Sequence, residues 1–390
     1  MNFDELIDRR NTHSAKWDLM ETLHGVAPEG GLSMWTADMD FHSPQCATDA
    51  LRQMVDHGIY GYYGPDTEYR AAIQWWLKNR HGWQIEPDWI FSGHGTVNGT
   101  MLCVDTWTDP GDTVIMFTPI YYVFYKVLAA ADRQVLEVPM PQENGRYVMD
   151  FDLAQSLLTG NEKMLILCSP HNPGGQVWTA DELRQLADFC VKNDLMLVSD
   201  EIHADLTFPG HKHTIMALAA PAISDRLAVL TGGTKTFNLA GIHTGNIIIP
   251  DAGLREEFTE KMFAFGISPN AFGMHMATAV FSPAGAEWLD ALMIYLDENR
   301  RIFDAGISSI PGAKSMILEG TYLPWVDFSD TGMGPTEVLK RVKQDARIAC
   351  GIGETFGQGG REFVRFNIAT QRALVEDSIT RLHTAFADLQ

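Results

Sequence analysis

A chain of 390 residues with 45% apolar side chains is longer than one hydrophobic core ordinarily serves, so two domains are expected. Its 29 basic and 50 acidic side chains leave a formal net charge of −21, a surface that repels phosphate backbones and excludes nucleic acid as an expected partner. There is no apolar run of about 18 residues and no apolar segment near the N-terminus, so a cytoplasmic protein without membrane spans is expected. The cysteines are Cys46, Cys103, Cys168, Cys190 and Cys350. None forms a C-x-x-C pair, so buried thiols are expected and a metal site is not.

In chain order, residues 91–107 (FSGHGTVNGTMLCVDTW) lead from glycines into a helical pattern. Residues 113–117 (TVIMF) and 163–169 (KMLILCS) read as strands, and 168–178 (CSPHNPGGQVW) as a turn dictated by two prolines and two glycines. Residues 180–194 repeat Leu183, Leu186, Ala187 and Cys190 at helical spacing, with Asp181 and Glu182 in the first turn where they complement the dipole. Three further strands are expected at 195–200 (LMLVSD), 227–232 (LAVLTG) and 245–250 (GNIIIP). Amphipathic helices are expected at 284–309 and 373–389, and a strand at 361–369. Apolar strands alternating with helices imply an α/β fold with a mostly parallel sheet covered on both faces. A large domain over 45–275 is expected, with a smaller α+β domain formed by 1–44 and 276–390.

Several of these segments carry chemistry. Lys235 in 231–241 (TGGTKTFNLAG) follows a strand and two glycines; partial burial there lowers its pKa and favours a nucleophile or Schiff base. Read alone, a solvated lysine is the commoner case. Asp200 ends an apolar strand, on the edge of a parallel sheet where ligands bind, although an N-cap aspartate also fits. The turn at 168–178 offers the amide of Asn172. Gly95 and Thr96 open a helix whose free N–H groups suit a phosphate. Arg365 in 364–367 (VRFN) presents a fork suited to a carboxylate, or to a surface ion pair.

The order and combination of these segments resemble fold-type I pyridoxal-phosphate enzymes of the class I/II aminotransferase family across essentially the whole chain. The resemblance implies the aspartate-aminotransferase fold, pyridoxal 5′-phosphate bound as a Schiff base on Lys235, and a ring-stacking Tyr121 or Tyr122. It further implies cofactor contacts from Gly95, Thr96, Asn172, Asp200, His203 and Thr234. Arg365 is implied to hold the substrate carboxylate, with Tyr121, Tyr122 and the segment Trp35–Asp40 also on the substrate side. Tyr62 resembles a tyrosine that reaches the phosphate in a neighbouring subunit, and Asn270 lies in a segment lining the opposite site, which together imply a homodimer with shared sites.

More specific stretches narrow the branch: KWD at 16–18, WTADMDF at 35–41, YGYY at 60–63, RHGW at 80–83, SDEIH at 199–203, EGTYLPW at 319–325 and VRFNIA at 364–369. Together they resemble the MalY/PatB-like cystathionine β-lyase branch, whose members cleave a cysteine conjugate to a thiol, pyruvate and ammonia. Some positions depart from the wider family. Gly232 stands where a phosphate-binding hydroxyl is frequent, leaving Thr231 and Thr234 near it. His243 replaces an arginine common in aminotransferases, and His203 replaces a tyrosine, as it does in the lyase branch. The alternatives are an aminotransferase using a 2-oxo acid, a non-enzymatic protein of the same fold, and an unrelated nucleotide-binding α/β protein.

Overall fold

The apolar runs assemble into one seven-stranded sheet in a computed structural model that describes residues 1–389. Its strands lie in the order Ile90–Gly93, Gly245–Ile248, Leu227–Thr231, Met196–Asp200, Glu162–Cys168, Thr113–Thr118, Gln134–Pro139. All neighbours run parallel except Gly245–Ile248, which is antiparallel to both of its own. Side chains alternate between two buried clusters. Val114, Met116, Ile166, Val198 and Leu230 pack on one face, and Ile115, Phe117, Leu165, Leu197 and Val229 on the other. Burial on both faces explains why these strands read as unbroken apolar runs rather than as alternating ones.

The helix over Ala180–Lys192 starts where expected, because Thr179 and Glu182 form a reciprocal capping box that satisfies two otherwise free N–H groups. The helix Pro283–Ser308 spans 26 residues from a Ser282 cap and packs against Arg372–Ala385.

A second, five-stranded sheet joins distant parts of the chain in the order Leu32–Met34, Ile348–Ile352, Phe363–Arg365, Trp325–Asp327, Lys314–Ser315. The strand expected over 361–369 is shorter, ending at Arg365. Beyond it Asn367 takes the Ala369 N–H at 2.7 Å and donates to the carbonyls of Thr36 and Asp38, so side-chain bonds replace the ladder. Two strands of the large sheet escaped the sequence reading, Ile90–Gly93 and Gln134–Pro139, as did the other four strands of the second sheet. The former two are the edges of the large sheet, where polar side chains such as Ser92, Gln134 and Glu137 interrupt the apolar pattern.

Candidate active site

Four parallel strands end together at Thr118, Cys168, Asp200 and Thr231, and a cavity of about 270 Å³ opens beyond them. Gly95, Thr96, Tyr121, Tyr122, Asn172, Asp200, His203, Thr234, Lys235 and Arg365 all face it. Residues more than 250 positions apart in sequence thus meet in one pocket.

The floor is a helix N-terminus. Gly95 caps Thr96–Trp107 with φ of 91°, a conformation that only glycine adopts freely. Gly245 lies so close that a Cβ on it would come within 2.9 Å of the Gly95 carbonyl carbon. The pair lets strand and loop meet without side chains between them, and Gly95, Thr96 and Val97 at the start of the helix line the cavity. Of the two threonines near Gly232, Thr234 lines the cavity, whereas the Thr231 hydroxyl accepts from Asn246 at 3.3 Å.

Asp200 is buried, and burial pushes its carboxyl up to about 7, reinforced by neighbouring Glu201 and opposed by the Ile202 N–H, Lys235 and the Thr96 hydroxyl. Its protonated and ionised forms are therefore near balance at neutral pH, and a cationic N–H donor tips it to carboxylate. Lys235 is half-buried, and its Nζ donates to the Ala37 carbonyl at 2.8 Å. Burial lowers its pKa, and the positive charge of Arg365 acts in the same direction. His203 is held neutral, its pKa lowered to about 3 by burial and by the two cations, and its Nδ1 is buried without a partner.

Arg365 is 3% exposed. One Nη donates to the Asn172 Oδ1 and the other to the Trp35 carbonyl, both at 2.8 Å, while Nε has no partner. Among the described residues no carboxylate pairs with this guanidinium. A buried cation with only neutral partners is costly unless an anion joins it. Although the chain is strongly acidic, the cavity presents Lys235 and Arg365 against Asp200 alone.

Tyr62 lies outside this cavity and is fully exposed, and Asn270 caps the helix Ala271–Val280 while donating to the Ile242 carbonyl. Cys168, Ile202, Val97 and Ala240 also line the cavity and were not anticipated as site residues. Cys168 could have been found once the strands were in register, because it pairs with Asp200 across the sheet. Four of the five cysteines are buried, and Cys46 is half-buried. Among the described residues no helix is long and apolar enough to cross a membrane.

The sequence pattern of aminotransferase class I and II matches residues 33–382. The chain belongs to that family, on its cystathionine β-lyase branch. It is 36% identical to cystathionine beta-lyase PatB of Bacillus subtilis over 99% of this chain and 100% of the relative. Among solved structures it superposes on cystalysin from Treponema denticola, which contains pyridoxal 5′-phosphate, with a TM-score of 0.94 and 36% identity over 100% of this chain and 99% of that one. A PLP-bound C–S lyase from Staphylococcus hominis superposes with a TM-score of 0.90 and 30% identity, covering 99% and 98%. The fold of the family, with its large, mostly parallel sheet, is therefore the fold of this chain.

Proposed function

We propose that this family member is a pyridoxal-phosphate-dependent C–S β-lyase, which cleaves cystathionine or a related cysteine S-conjugate to a thiol, pyruvate and ammonia. The observation that carries the reading is the convergence of Lys235, Asp200 and the buried, anion-lacking Arg365 in one cavity. The cavity fits the cofactor on its own chemistry. Gly95 and Thr96 at the helix N-terminus, with Thr234, suit a phosphate. Asp200 suits a protonated ring nitrogen, Tyr121 a ring face, and the Lys235 amine the aldehyde. His203 lies within the same lining and takes a supporting role there.

When bound, pyridoxal phosphate supplies an electron sink for charge developing on the substrate α-carbon. The chain's own residues do the rest. Arg365, with Asn172, binds and orients the α-carboxylate as a planar fork. Lys235, whose pKa burial lowers, takes the α-proton as general base. Asp200 keeps a proton at the ring nitrogen. Breaking the Cβ–S bond then releases the thiolate, and water completes the conversion to pyruvate and ammonia.

An aminotransferase would use the same residues, and the names of the relatives favour the lyase. The reading extends to a cytoplasmic homodimer in which Tyr62 completes the partner's site. Exposed Val55, Ile59, Tyr60, Tyr62, Phe263 and Phe265 support a covered face. It also includes a large domain over 45–275 and a small one built from both termini, supported by the second sheet's use of Leu32–Met34 beside strands after residue 313. The test is to supply L-cystathionine to the holoenzyme and to Lys235→Ala without any oxo acid. Thiol and pyruvate from the former alone support the reading; turnover that requires an oxo acid and releases no thiol replaces it with the aminotransferase.

A further inference from the structure

A second cavity, of about 410 Å³, also borders Arg365. The two share Tyr122 and Arg365. We infer that this cavity seats the substituent on the leaving sulfur and selects an apolar, ring-bearing group over the charged end of cystathionine. The inference rests on the lyase reading and sharpens it.

Its position follows from the substrate's bonds. In a cysteine conjugate, sulfur is separated from the carboxylate carbon by only Cα and Cβ. A carboxylate on Arg365 therefore brings the sulfur close to any cavity bordering that guanidinium. Arg365 itself lies across the boundary, with its guanidinium carbon 4.9 Å from the ring centroid of Phe356 in the second cavity.

The preference follows from the apolar part of the walls, which is Leu23, Trp35, Tyr122, Ile352 and Phe356. The polar groups beside them, the Tyr125 and Thr355 hydroxyls, His24 and Lys126, include no anion. The His24 ring lies 4.7 Å from the Trp35 ring, and its Nδ1 is buried without a partner. Burial and the nearby Lys343 lower the His24 pKa to about 4, so it faces the cavity as a neutral ring. Lys126 sits over the Tyr122 ring at 5.5 Å. Among the described residues no acidic side chain lines this cavity.

The distal end of cystathionine carries an ammonium and a carboxylate. Lys126 offers the carboxylate a partner, but the ammonium meets only neutral acceptors, the His24 ring and the Tyr125 and Thr355 hydroxyls, and no carboxylate, so its charge loses water with only partial compensation. A benzyl or similar group loses only apolar hydration and gains contact with aromatic faces.

The test compares S-benzyl-L-cysteine, S-methyl-L-cysteine and L-cystathionine with the holoenzyme. It follows thiol and pyruvate release, and also the change in visible absorbance that reports binding. The expected kcat/KM for the S-benzyl conjugate exceeds that of both others by about tenfold or more, the worth of a filled apolar pocket. Leu23, half-exposed at the rim, accepts a charge without threatening the fold. Leu23→Glu is expected to cut the ratio of S-benzyl to cystathionine by about tenfold, and Leu23→Met to keep it. Equal kcat/KM for the S-benzyl and S-methyl conjugates, or a Leu23→Glu variant that shifts all three alike, overturns the subsite. If none of the three releases a thiol, the lyase reading falls and the subsite is judged on Kd from absorbance. There the same ratios support it, and equal Kd values end it.

Discussion

Lys16 and Asp40 meet at 2.6 Å with both side chains sealed from solvent, 0% and 2% exposed. Trp17 Nε1 and Arg9 complete the shell of the same carboxylate at 2.9 and 3.0 Å. Lys16 also holds the Asp38 carbonyl, next to Ala37, whose own carbonyl receives Lys235. A buried carboxylate that loses its nearest cation is left undercompensated. Lys16→Met is therefore expected to destabilise the fold by about 3–5 kcal/mol in urea titration. The double change Lys16→Met with Asp40→Leu should recover part of that loss. A single variant as stable as the parent would mean that Arg9 and Trp17 suffice.

The geometry of Arg365 makes lysine a poor substitute. Its fork bonds Asn172 and Trp35 at once while its plane lies over Phe356, and an ammonium reproduces neither the fork nor the plane. Arg365→Lys is expected to lower kcat/KM about 100-fold, chiefly through KM, corresponding to about 2.7 kcal/mol of lost carboxylate binding. Steady-state kinetics on one conjugate decides it; a change confined to kcat would move Arg365 from binding to the chemical step.

Asp200 gives a prediction for the protein free of cofactor. Its carboxyl is pushed up to about 7 when folded, against an ordinary 3.8, so the folded chain holds this proton more tightly than the unfolded one. Ionising it costs stability as the pH rises from about 4 to 7. Asp200→Asn mimics the protonated form. It should equal the parent near pH 4 and exceed it in stability by a few kcal/mol at pH 8. The same variant loses lyase activity, because an amide cannot keep the ring nitrogen charged. A cofactor-free variant less stable than the parent at pH 8 would place a stronger cation beside Asp200 than Lys235.

The ligand-binding chemistry was more legible in the sequence than the framework that positions it. Asp200 ends one strand and Lys235 follows the end of its neighbour, so their place at one sheet edge follows from the α/β pattern alone. Arg365 ends a strand of the other sheet, and only the resemblance to a family connected it to the pocket. The pairing of Lys16 with Asp40 was illegible, since nothing in a polar N-terminal segment signals a lysine with no exposed surface. The edge strand Gln134–Pro139 was lost because solvent relaxes the need for apolar side chains there. The cavity beside Phe356 combines walls from residues 23 to 365, which no local pattern brings together.

Two fully buried histidines contribute to the acid limit. Burial lowers the pKa of His171 to about 4 and that of His203 to about 3. His171 fits the neutral form, since Nε2 lies 2.9 Å from the Pro119 carbonyl and Nδ1 accepts from the Gly174 N–H. A folded pKa below the unfolded value means that stability is fully present above about 6.5 and is lost as the pH falls toward 4 and below. Each ring accounts for about 3 kcal/mol or somewhat more over that window. Denaturation curves between pH 7 and 4 should steepen for the parent and flatten for His171→Gln with His203→Gln. Parallel curves would assign the acid limit to other groups.

Tyr62 is fully exposed and does not line the cavity of its own chain. If it completes the site of a second copy, the defect of Tyr62→Ala and that of Lys235→Ala reside in different subunits of each active site. Each variant alone should be impaired, the first in retaining cofactor and the second in all turnover. Mixing them under conditions that exchange subunits creates hybrid dimers, each with one site that has both Lys235 and Tyr62 intact. With equal amounts, half of the dimers are hybrids, so activity should return to about a quarter of the parent value. Recovery on mixing requires a shared site, since two variants defective within one chain cannot repair each other. Absence of recovery, with subunit exchange verified by mass, would leave Tyr62 as an exposed ring outside the active site.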